Sequence, residues 1–209
     1  MSQQAAGEMA MFPLGAVLFP HLPLHLRVFE ERYLVMLSRL LESDTAEFGV
    51  VLIERGQEVG GGEHRFRVGT VAQITELGVQ HGHVALVAQG ERRLEVTDWL
   101  TEDPHPRAEV RFLPDLEWDP SLQPLWQQAE QLVRRTLAQA SEFTEQQWPA
   151  DVELSQDRVA ASWQLAGIAP VGPLDQITLL RATSIEELLT LLIDVTAAAA
   201  EPFSAPWPE

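Results

Sequence analysis

Two pairs of histidines are the first residues whose type and spacing suggest chemistry. His21 and His25 lie four positions apart, and His81 and His83 flank a glycine that is typical of a turn. A zinc site in a protein needs three or four ligands and a supporting shell of hydrogen bonds. The chain has no cysteine and no H-E-x-x-H motif to supply the remaining ligands. We therefore interpret these histidines as surface and turn residues and predict no metal site.

Nucleophiles and phosphate ligands are also not arranged for catalysis. Nine serines are present, and none of them lies in a G-x-S-x-G motif. The run Gly60-Gly61-Gly62 invites comparison with a phosphate-binding loop, but glutamates flank it and it lacks the lysine and hydroxyl of such a loop. All 14 basic residues are arginine, which excludes a P-loop lysine, a Schiff-base lysine and a Ser–Lys dyad within this chain. We predict that the chain is not an enzyme, has no catalytic residue and needs no cofactor.

The remaining chemical candidates are two arginine clusters, because guanidinium groups bind phosphates and carboxylates. Arg92 and Arg93 are adjacent, so in a strand they point to opposite faces and do not form one patch. Arg65 and Arg67 share a face if their strand is regular. The formal net charge is −17, and a chain this acidic is a poor partner for nucleic acid. Solvated strand faces are the favoured interpretation of these clusters, and RNA binding is the alternative.

The elements around these side chains must position them, beginning with the stretch between Met11 and Leu41. Prolines at positions 13, 20 and 23 are incompatible with a helix interior, so residues 11–28 are predicted to form two short strands around a loop. From Glu30 onward the apolar residues recur at the spacing of an amphipathic helix. They are Tyr33, Leu34, Met36, Leu37, Leu40 and Leu41. The stretch therefore predicts a strand–loop–strand–helix unit whose apolar surface needs a partner.

Apolar and alternating runs further along the chain predict a series of strands. The runs at 68–80 and 83–89 are separated by a short turn, so they predict a hairpin. Strands are also predicted at 47–54, 91–99 and 108–113. Short antiparallel strands at this spacing favour a small barrel or pseudo-barrel over a parallel sheet.

The pattern becomes helical after Pro114. Asp119 followed by proline predicts a helix N-terminus, and Ser184 with Glu187 predicts a capping box. Further helices are predicted at 151–166, 173–181 and 185–200, and Pro202 is expected to end the last one. The predicted organisation is a disordered N-terminus at 1–10, a β domain at 11–114, a helical bundle at 115–201 and a Pro-rich tail at 202–209.

The overall composition indicates a protein that can bury a substantial core, because 45% of the residues are apolar. No apolar run approaches the ~20 residues that span a membrane. The first residues lack the basic start and apolar core of a signal peptide. We therefore expect a cytoplasmic protein without a membrane partner.

Three short motifs follow one another in the first part of the chain, at Phe12-Pro13-Leu14, Leu18-Phe19-Pro20 and Phe29-Glu30-Glu31-Arg32-Tyr33. Three more follow at Phe48-Gly49-Val50-Val51, Val68-Gly69-Thr70-Val71-Ala72 and Gly90-Glu91-Arg92-Arg93-Leu94. Together these motifs resemble, in their order, the substrate-binding N-terminal domain of Lon-type ATP-dependent proteases. That family opens with FPL, continues through an (L/V)FP step and reaches F-E-x-R-Y. The resemblance is specific over residues 11–114 and weaker through the leucine-rich helical part.

The resemblance implies an α+β fold in which a PUA-like antiparallel β pseudo-barrel with one helix precedes a C-terminal α-helical bundle. Lon proteases continue into an ATPase module and a Ser–Lys protease domain, and we expect this chain to be the stand-alone recognition domain. The implied function is non-catalytic binding of peptide segments, unfolded protein or a partner protein, on the β domain and the cleft it makes with the helical part. The alternatives are an RNA-binding PUA-like module and a small-molecule pocket between barrel and bundle.

The resemblance also suggests which residues contact a peptide or partner. Glu30 and Arg32 have a second interpretation, since a strand-to-helix junction needs its polar groups satisfied. In that interpretation Glu30 caps the helix and Arg32 pairs with a carboxylate or a loop carbonyl, and we favour it. The candidate binding residues are Leu26, Val28, Phe29, Arg32, Tyr33, Arg65, Arg67, Arg92 and Trp118.

Overall fold

The computed structural model describes residues 5–43, 45–53, 65–80 and 82–204. The chain divides into two compact units, Met1–Asp115 and Leu116–Glu209. This division falls one residue after the boundary predicted from the sequence. The predicted glycine loop at 60–62, the turn residue His81 and Trp207 of the tail lie outside the described residues.

In the residues that the structure describes, the first unit consists of six strands and one helix. The strands form one sheet in the order β2-β5-β4-β3-β1-β6, and β6 pairs back with β5 to close a ring of five strands. Strand β2 lies outside this ring and pairs with β5 alone. The elements are β1 (Ala5–Leu14), β2 (Pro23–Val28), α1 (Glu31–Leu41), β3 (Glu47–Ile53), β4 (Arg65–Gln80), β5 (His83–Trp99) and β6 (Arg107–Phe112). The second unit consists of helices, so the predicted α+β class is confirmed.

The N-terminal residues differ from the prediction of a disordered segment at 1–10. Strand β1 begins at Ala5 and pairs antiparallel with β6, with Met9 opposite Ala108. The carboxylate of Glu8 forms an ion pair of 2.6 Å with Arg107 on the neighbouring strand. Small and polar residues give little propensity signal, so this strand depends on its pairing partner and not on its own composition.

The core of the first unit joins the FPL motif to the helix that follows β2. The rings of Phe12 and Tyr33 stack with their centroids 3.9 Å apart, and Phe48 lies against Phe12. Met36 and Leu37 on α1 are buried in the same cluster. The amphipathic helix predicted from spacing is thus the cover of one side of the barrel.

The second unit contains a short 3-10 turn at Pro120–Leu122 and four helices. These are α2 (Gln123–Ser141), α3 (Arg158–Ile168), α4 (Pro173–Leu180) and α5 (Ile185–Ser204). The Asp119 carboxylate accepts a hydrogen bond from the backbone N–H of Ser121, as the predicted cap requires. The Ser184 hydroxyl accepts from the N–H of Glu187, but the Glu187 carboxylate bonds Thr183, so the capping box is only half formed. Within the described residues no helix has the length and apolar character needed to cross a membrane.

Two helix boundaries differ from the prediction. Helix α3 begins after Asp157, whose carboxylate accepts from the N–H of Ala160, and not near residue 151. Pro202 lies inside α5, which continues to Ser204, so the tail does not begin where that proline predicted.

Two strand glycines of the first unit differ sharply in their surroundings, which yields a stability prediction. A Cβ atom on Gly69 would lie 2.1 Å from the carbonyl oxygen of Val50, whereas a Cβ on Gly78 would meet nothing within 4 Å. We expect Gly69→Ala to lower the free energy of unfolding by about 1–3 kcal/mol through overpacking. Gly78→Ala should leave it unchanged or raise it by about 0.5 kcal/mol. Urea denaturation followed by circular dichroism measures both, and equal losses would contradict the packing described here.

Candidate functional site

The strands of the first unit end at different places, and this creates a three-stranded end. The pairing of β3 with β4 ends at Gln73, while β4 and β5 continue as a hairpin to Gln80 and His83. Strand β2 covers the other edge of β5, from Gln89 to Val84. The three-stranded end therefore comprises residues 23–28 of β2, 74–80 of β4 and 83–89 of β5.

One face of the three-stranded end is apolar and changes from buried to exposed across the strands. Leu26, Leu86 and Leu77 lie opposite one another in register, and the next row is Val28, Val84 and Val79. Leu86 and Val28 are buried, whereas Leu77 is 38% exposed and Val79 is 82% exposed. The solvent exposure of this face thus increases from the buried residues on β2 and β5 to the exposed residues on β4.

Two further apolar side chains near the end of β2 are exposed. Phe29, which directly follows Val28, is 68% exposed, and Leu34 on the first turn of α1 is 36% exposed. Exposed apolar side chains at one end of a folded unit commonly mark a contact surface for another molecule. We refer to the exposed apolar residues of the three-stranded end and the adjoining start of α1, which are Phe29, Leu34, Leu77 and Val79, as the apolar patch.

The opposite face of the three-stranded end carries an open groove of about 490 Å³ with polar and apolar lining residues. Gly78 and Ala85 pair directly and leave room at its floor. Arg27 and His25 come from β2, and Glu76 comes from β4. The groove residues are His25, Leu26, Arg27, Glu76, Leu77, Gly78, Ala85, Leu86 and Val87.

Two of the predicted arginines meet at one carboxylate. Glu102 lies 2.8 Å from a guanidinium nitrogen of Arg65 and 3.9 Å from one of Arg32. The Arg32 guanidinium also donates to Glu30 at 3.0 Å. Glu30 precedes α1, but its side chain makes no capping hydrogen bond, so its role as a cap was predicted wrongly. The prediction that Arg32 pairs with a carboxylate is confirmed.

The surroundings of Arg32 hold it in its charged form. Partial burial works against the charge, but the Tyr33 hydroxyl and the Glu30 and Glu102 carboxylates outweigh that effect and raise the pKa of Arg32 above its usual value. The guanidinium lies 4.7 Å from the centroid of the Tyr33 ring, a cation–π distance. These contacts fix Arg32 at the strand-to-helix junction.

The other arginines of the predicted clusters are also engaged within the first unit. Arg67 donates to the carbonyl of Thr97 at 2.8 Å, and Arg92 pairs with Glu47 at 3.2 Å. Arg93 is buried and donates to the carbonyl of Pro114 at 2.7 Å. Burial lowers the pKa of Arg93 to about 10, although Asp115 partly offsets this effect. These guanidinium groups do not combine into a positive stripe.

The nine predicted binding residues therefore lie in different environments. Val28 and Tyr33 are buried in the core, and Leu26 is half-buried against it. Phe29 is the apolar residue of the set that is widely exposed. Trp118 belongs to the second unit and is half-buried there. Burial of Val28 and Tyr33 follows from their positions on the inward face of β2 and the inward side of α1.

Three residues of the apolar patch were not singled out from the sequence. Leu34 was assigned to the apolar side of α1, and Leu77 and Val79 were assigned to an ordinary alternating strand. The strand pattern showed that Leu77 and Val79 share a face, but it did not show that their neighbouring strand would end before them.

Across the residues that the structure describes, no group of three or more histidine, aspartate or glutamate side chains could hold a metal ion.

A second groove, of about 660 Å³, lies within the second unit between α2 and the start of α3. It contains the ion pair between Glu130 and Arg134, and the Arg158 guanidinium lies 4.3 Å from the centroid of the Trp126 ring. Arg134 also donates to the carbonyl of Ala150 at 2.7 Å. Arg134 and Arg158 of this groove are thus both engaged within the second unit.

The fold defines an α+β protein in which a β pseudo-barrel with a branching strand precedes a helical unit. A family model for the ATP-dependent protease La (LON) substrate-binding domain matches residues 8–197. The chain belongs to this Lon substrate-binding domain family, which confirms the resemblance carried by its short motifs.

Solved structures agree with this assignment. The Lon N-terminal domain protein from Xanthomonas campestris superposes with a TM-score of 0.63 at 25% identity, covering 90% of this chain and 98% of that chain. The N-terminal domain of the Mycobacterium avium complex Lon protease has the same fold, with a TM-score of 0.62 at 17% identity and coverage of 91% and 98%.

Curated relatives match over about half of the chain. The Lon protease of Heliobacterium modesticaldum is 26% identical over 111 residues, which is 52% of this chain and 14% of that protein. The Lon protease of Cytophaga hutchinsonii is 30% identical over 107 residues, which is 50% of this chain and 13% of that protein. The matched segments thus span about one seventh of those proteases.

The family motif F-E-x-R-Y contains one exposed and one buried aromatic residue, which gives a direct test of their roles. Tyr33→Ala removes the ring stacked on Phe12 and should lower the free energy of unfolding by roughly 3 kcal/mol or more. Phe29→Ala removes an exposed ring and should change it by no more than about 0.5 kcal/mol. Chemical denaturation of both variants measures the difference. Similar losses for the two would show that Phe29 also belongs to the core.

Proposed function

We propose that this chain recognises polypeptide without catalysing a reaction, and that its apolar patch contacts extended apolar segments of other proteins. The observation that carries the proposal is the exposure of Phe29, Leu77 and Val79 at one end of the first unit. The name of the matched family supports this ligand class, because it describes the substrate-binding part of a protease.

The contact would be hydrophobic and tolerant of sequence. Removing an apolar side chain such as Phe29 or Val79 from water contributes about 1.5–3 kcal/mol if it becomes fully buried. Only a few such side chains are present, and ordering an extended ligand costs conformational entropy, so each binding event should be weak. Weak apolar contact suits a surface that meets many different unfolded segments.

The arginine contacts favour polypeptide over RNA. Arg32, Arg65 and Arg92 are each within ion-pair distance of a glutamate. A nucleic acid would have to displace those carboxylates and approach a chain with a formal net charge of −17. RNA binding therefore has no supporting observation in the described part of the chain.

A cytoplasmic location stays a prediction.

Phenylalanine substitutions in the two units provide a matched test. Phe29 is 68% exposed in the first unit and Phe143 is 56% exposed in the second. We expect Phe29→Ser to weaken the binding of an unfolded polypeptide roughly 30-fold, which corresponds to about 2 kcal/mol of lost apolar contact. Phe143→Ser should leave binding unchanged. The ligand is reduced and carboxymethylated lactalbumin, and the measurement is isothermal titration calorimetry on the full chain.

Two results would count against this assignment. Equal weakening by both substitutions would show that the apolar patch of the first unit is not the contact surface. If the wild-type chain binds neither the unfolded polypeptide nor folded lactalbumin at the same concentrations, the proposed function is wrong.

A further inference from the structure

The outer edge of β4 is open beyond Ile74, whose N–H donates to the carbonyl of Ala46. Pairing with β3 ends at Gln73, and residues 75–79 are all exposed. In the ranges that the structure describes, no strand pairs with β4 on that side beyond Gln73. An open strand edge presents backbone N–H and C=O groups that another strand can bond, and proteins usually blunt or cover such edges.

The proline at the start of β2 shows which peptide groups of β4 point toward this open edge. Pro23 has no N–H and pairs with Gln89, so this pair cannot exchange two hydrogen bonds. Hydrogen-bonded and non-bonded pairs alternate along an antiparallel ladder. The bonded pairs of β2 and β5 are therefore Leu26 with Leu86 and Val28 with Val84. The hydrogen bond from the N–H of Gly90 to the carbonyl of Leu22 agrees with this alternation of bonded and non-bonded pairs.

The same alternation then assigns the peptide groups of β4. Leu86 and Val84 direct their N–H and C=O groups toward β2, so the residues opposite them on β4 receive no bond from them. Those residues are Leu77 and Val79. Their own N–H and C=O groups must point away from β5, toward the open edge. The N–H and C=O groups of Leu77 and Val79 are thus available, two positions apart, for hydrogen bonds with an incoming antiparallel strand.

Gly78 lies between Leu77 and Val79, and neither packing nor backbone conformation within the first unit requires a glycine there. A Cβ on Gly69 or Gly90 would lie 2.1 Å or 2.2 Å from a backbone carbonyl oxygen, so those glycines are required by packing. A Cβ on Gly78 would meet nothing within 4 Å, and the backbone there is not in the left-handed region. A glycine in a strand interior weakens the strand, and it often marks a place where another backbone approaches closely.

We propose that the edge of β4 at Leu77–Val79 pairs with the same edge of a second copy of this chain, antiparallel and centred on Gly78. In this register Leu77 of each copy lies opposite Val79 of the other, and both have outward peptide groups. Each of the two pairs exchanges two hydrogen bonds, and Gly78 meets Gly78 at the two-fold axis. An interface of this kind is self-complementary, as a two-fold dimer requires.

The sequence around the axis suits a second copy. Glu76 lies opposite position 80, which is an uncharged glutamine, so no like charges face each other across the pair. The apolar rows of the two copies become continuous, because Leu77 and Val79 lie on one face in each. The proposal goes beyond the polypeptide recognition described above and does not depend on it.

The dimer should depend on concentration and on salt. A strand pair of this length buries less than the ~1,000 Å² of stable specific interfaces, so the association is weak. Two chains that each carry a formal charge of −17 also repel one another, and added salt screens that repulsion. A covalent trap is therefore the sharpest test.

The chain contains no cysteine, so a single introduced thiol reports on this contact alone. Residues that face each other in a non-bonded antiparallel pair have Cα atoms about 4.5 Å apart, within the range of disulfides. Gly78→Cys should therefore form a covalent dimer when the purified full-length chain is oxidised with oxidised glutathione. Thr75→Cys is the matched control, because the two copies of residue 75 would lie roughly 20 Å apart in this register. Electrophoresis without reductant measures the yield.

We expect roughly tenfold or more covalent dimer from Gly78→Cys than from Thr75→Cys, because only the first pair meets the geometric limits of a disulfide. Equal yields would overturn the proposal, and they are also the result expected if this edge is reserved for a strand of another protein. No unfolded ligand is present, so the outcome is independent of the calorimetric test of polypeptide binding.

A second comparison applies if Gly78→Cys fails to fold by circular dichroism. Val79→Pro removes an outward N–H and leaves the bonds between β4 and β5 in place. In sedimentation velocity at about 0.5 M salt, the wild type should gain mass with concentration and Val79→Pro should stay monomeric. A wild type that is monomeric at every concentration would overturn the proposal.

Discussion

The hydrogen-bonded ladder between β4 and β5 is the interaction on which the first unit depends. Strand β5 pairs with β4 over most of its length, with β2 along its first part and with β6 along its second part. The ring closes through the second part, because β6 returns to β5 there. The first part continues beyond the ring as the three-stranded end. One ladder therefore supports both the core and the exposed surface.

The exposed apolar residues follow from this difference in strand length. Leu86 is buried in the core cluster to which α1 contributes Tyr33, whereas Val79 is exposed because it lies on β4 beyond the last residue paired with β3. Strand β5 supports the hairpin because it is paired with both β4 and β2 there. Recognition of apolar segments would then require no large rearrangement of the core.

The sequence predicted local features well where they depend on neighbouring residues. The prolines at 13, 20 and 23, the helical spacing from Tyr33 and the hairpin around residue 82 all correspond to elements of the structure. The short motifs from Phe12 to Leu94 indicated the family, which the family model confirmed. The β1 segment before Met11 was missed because AAGEMA carries no strong strand propensity.

The candidate site was harder to predict because it depends on distant residues. Arg32 and Arg65 meet at Glu102, which is far from both in sequence, so this shared partner could not be predicted. Alternation placed Leu77 and Val79 on one face, but exposure depends on where β3 ends. Phe29 was predicted from the motif and is exposed, and its role in binding stays a prediction.

The arginines of the β unit are engaged with its own carboxylates across the strands. Arg107, Arg111 and Arg92 each pair with a glutamate on another strand. Exposed pairs of this kind contribute little stability individually. Their effect on function is larger, because they occupy the positive groups and leave the apolar patch as the distinctive surface of the unit.

The most direct measurement of the central claim is hydrogen–deuterium exchange of the full chain with and without an unfolded polypeptide ligand. We expect added ligand to slow exchange in residues 24–29 and 75–79 and to leave the helices α2 and α5 unchanged. Slower exchange confined to the helical unit, with no change at the three-stranded end, would contradict it.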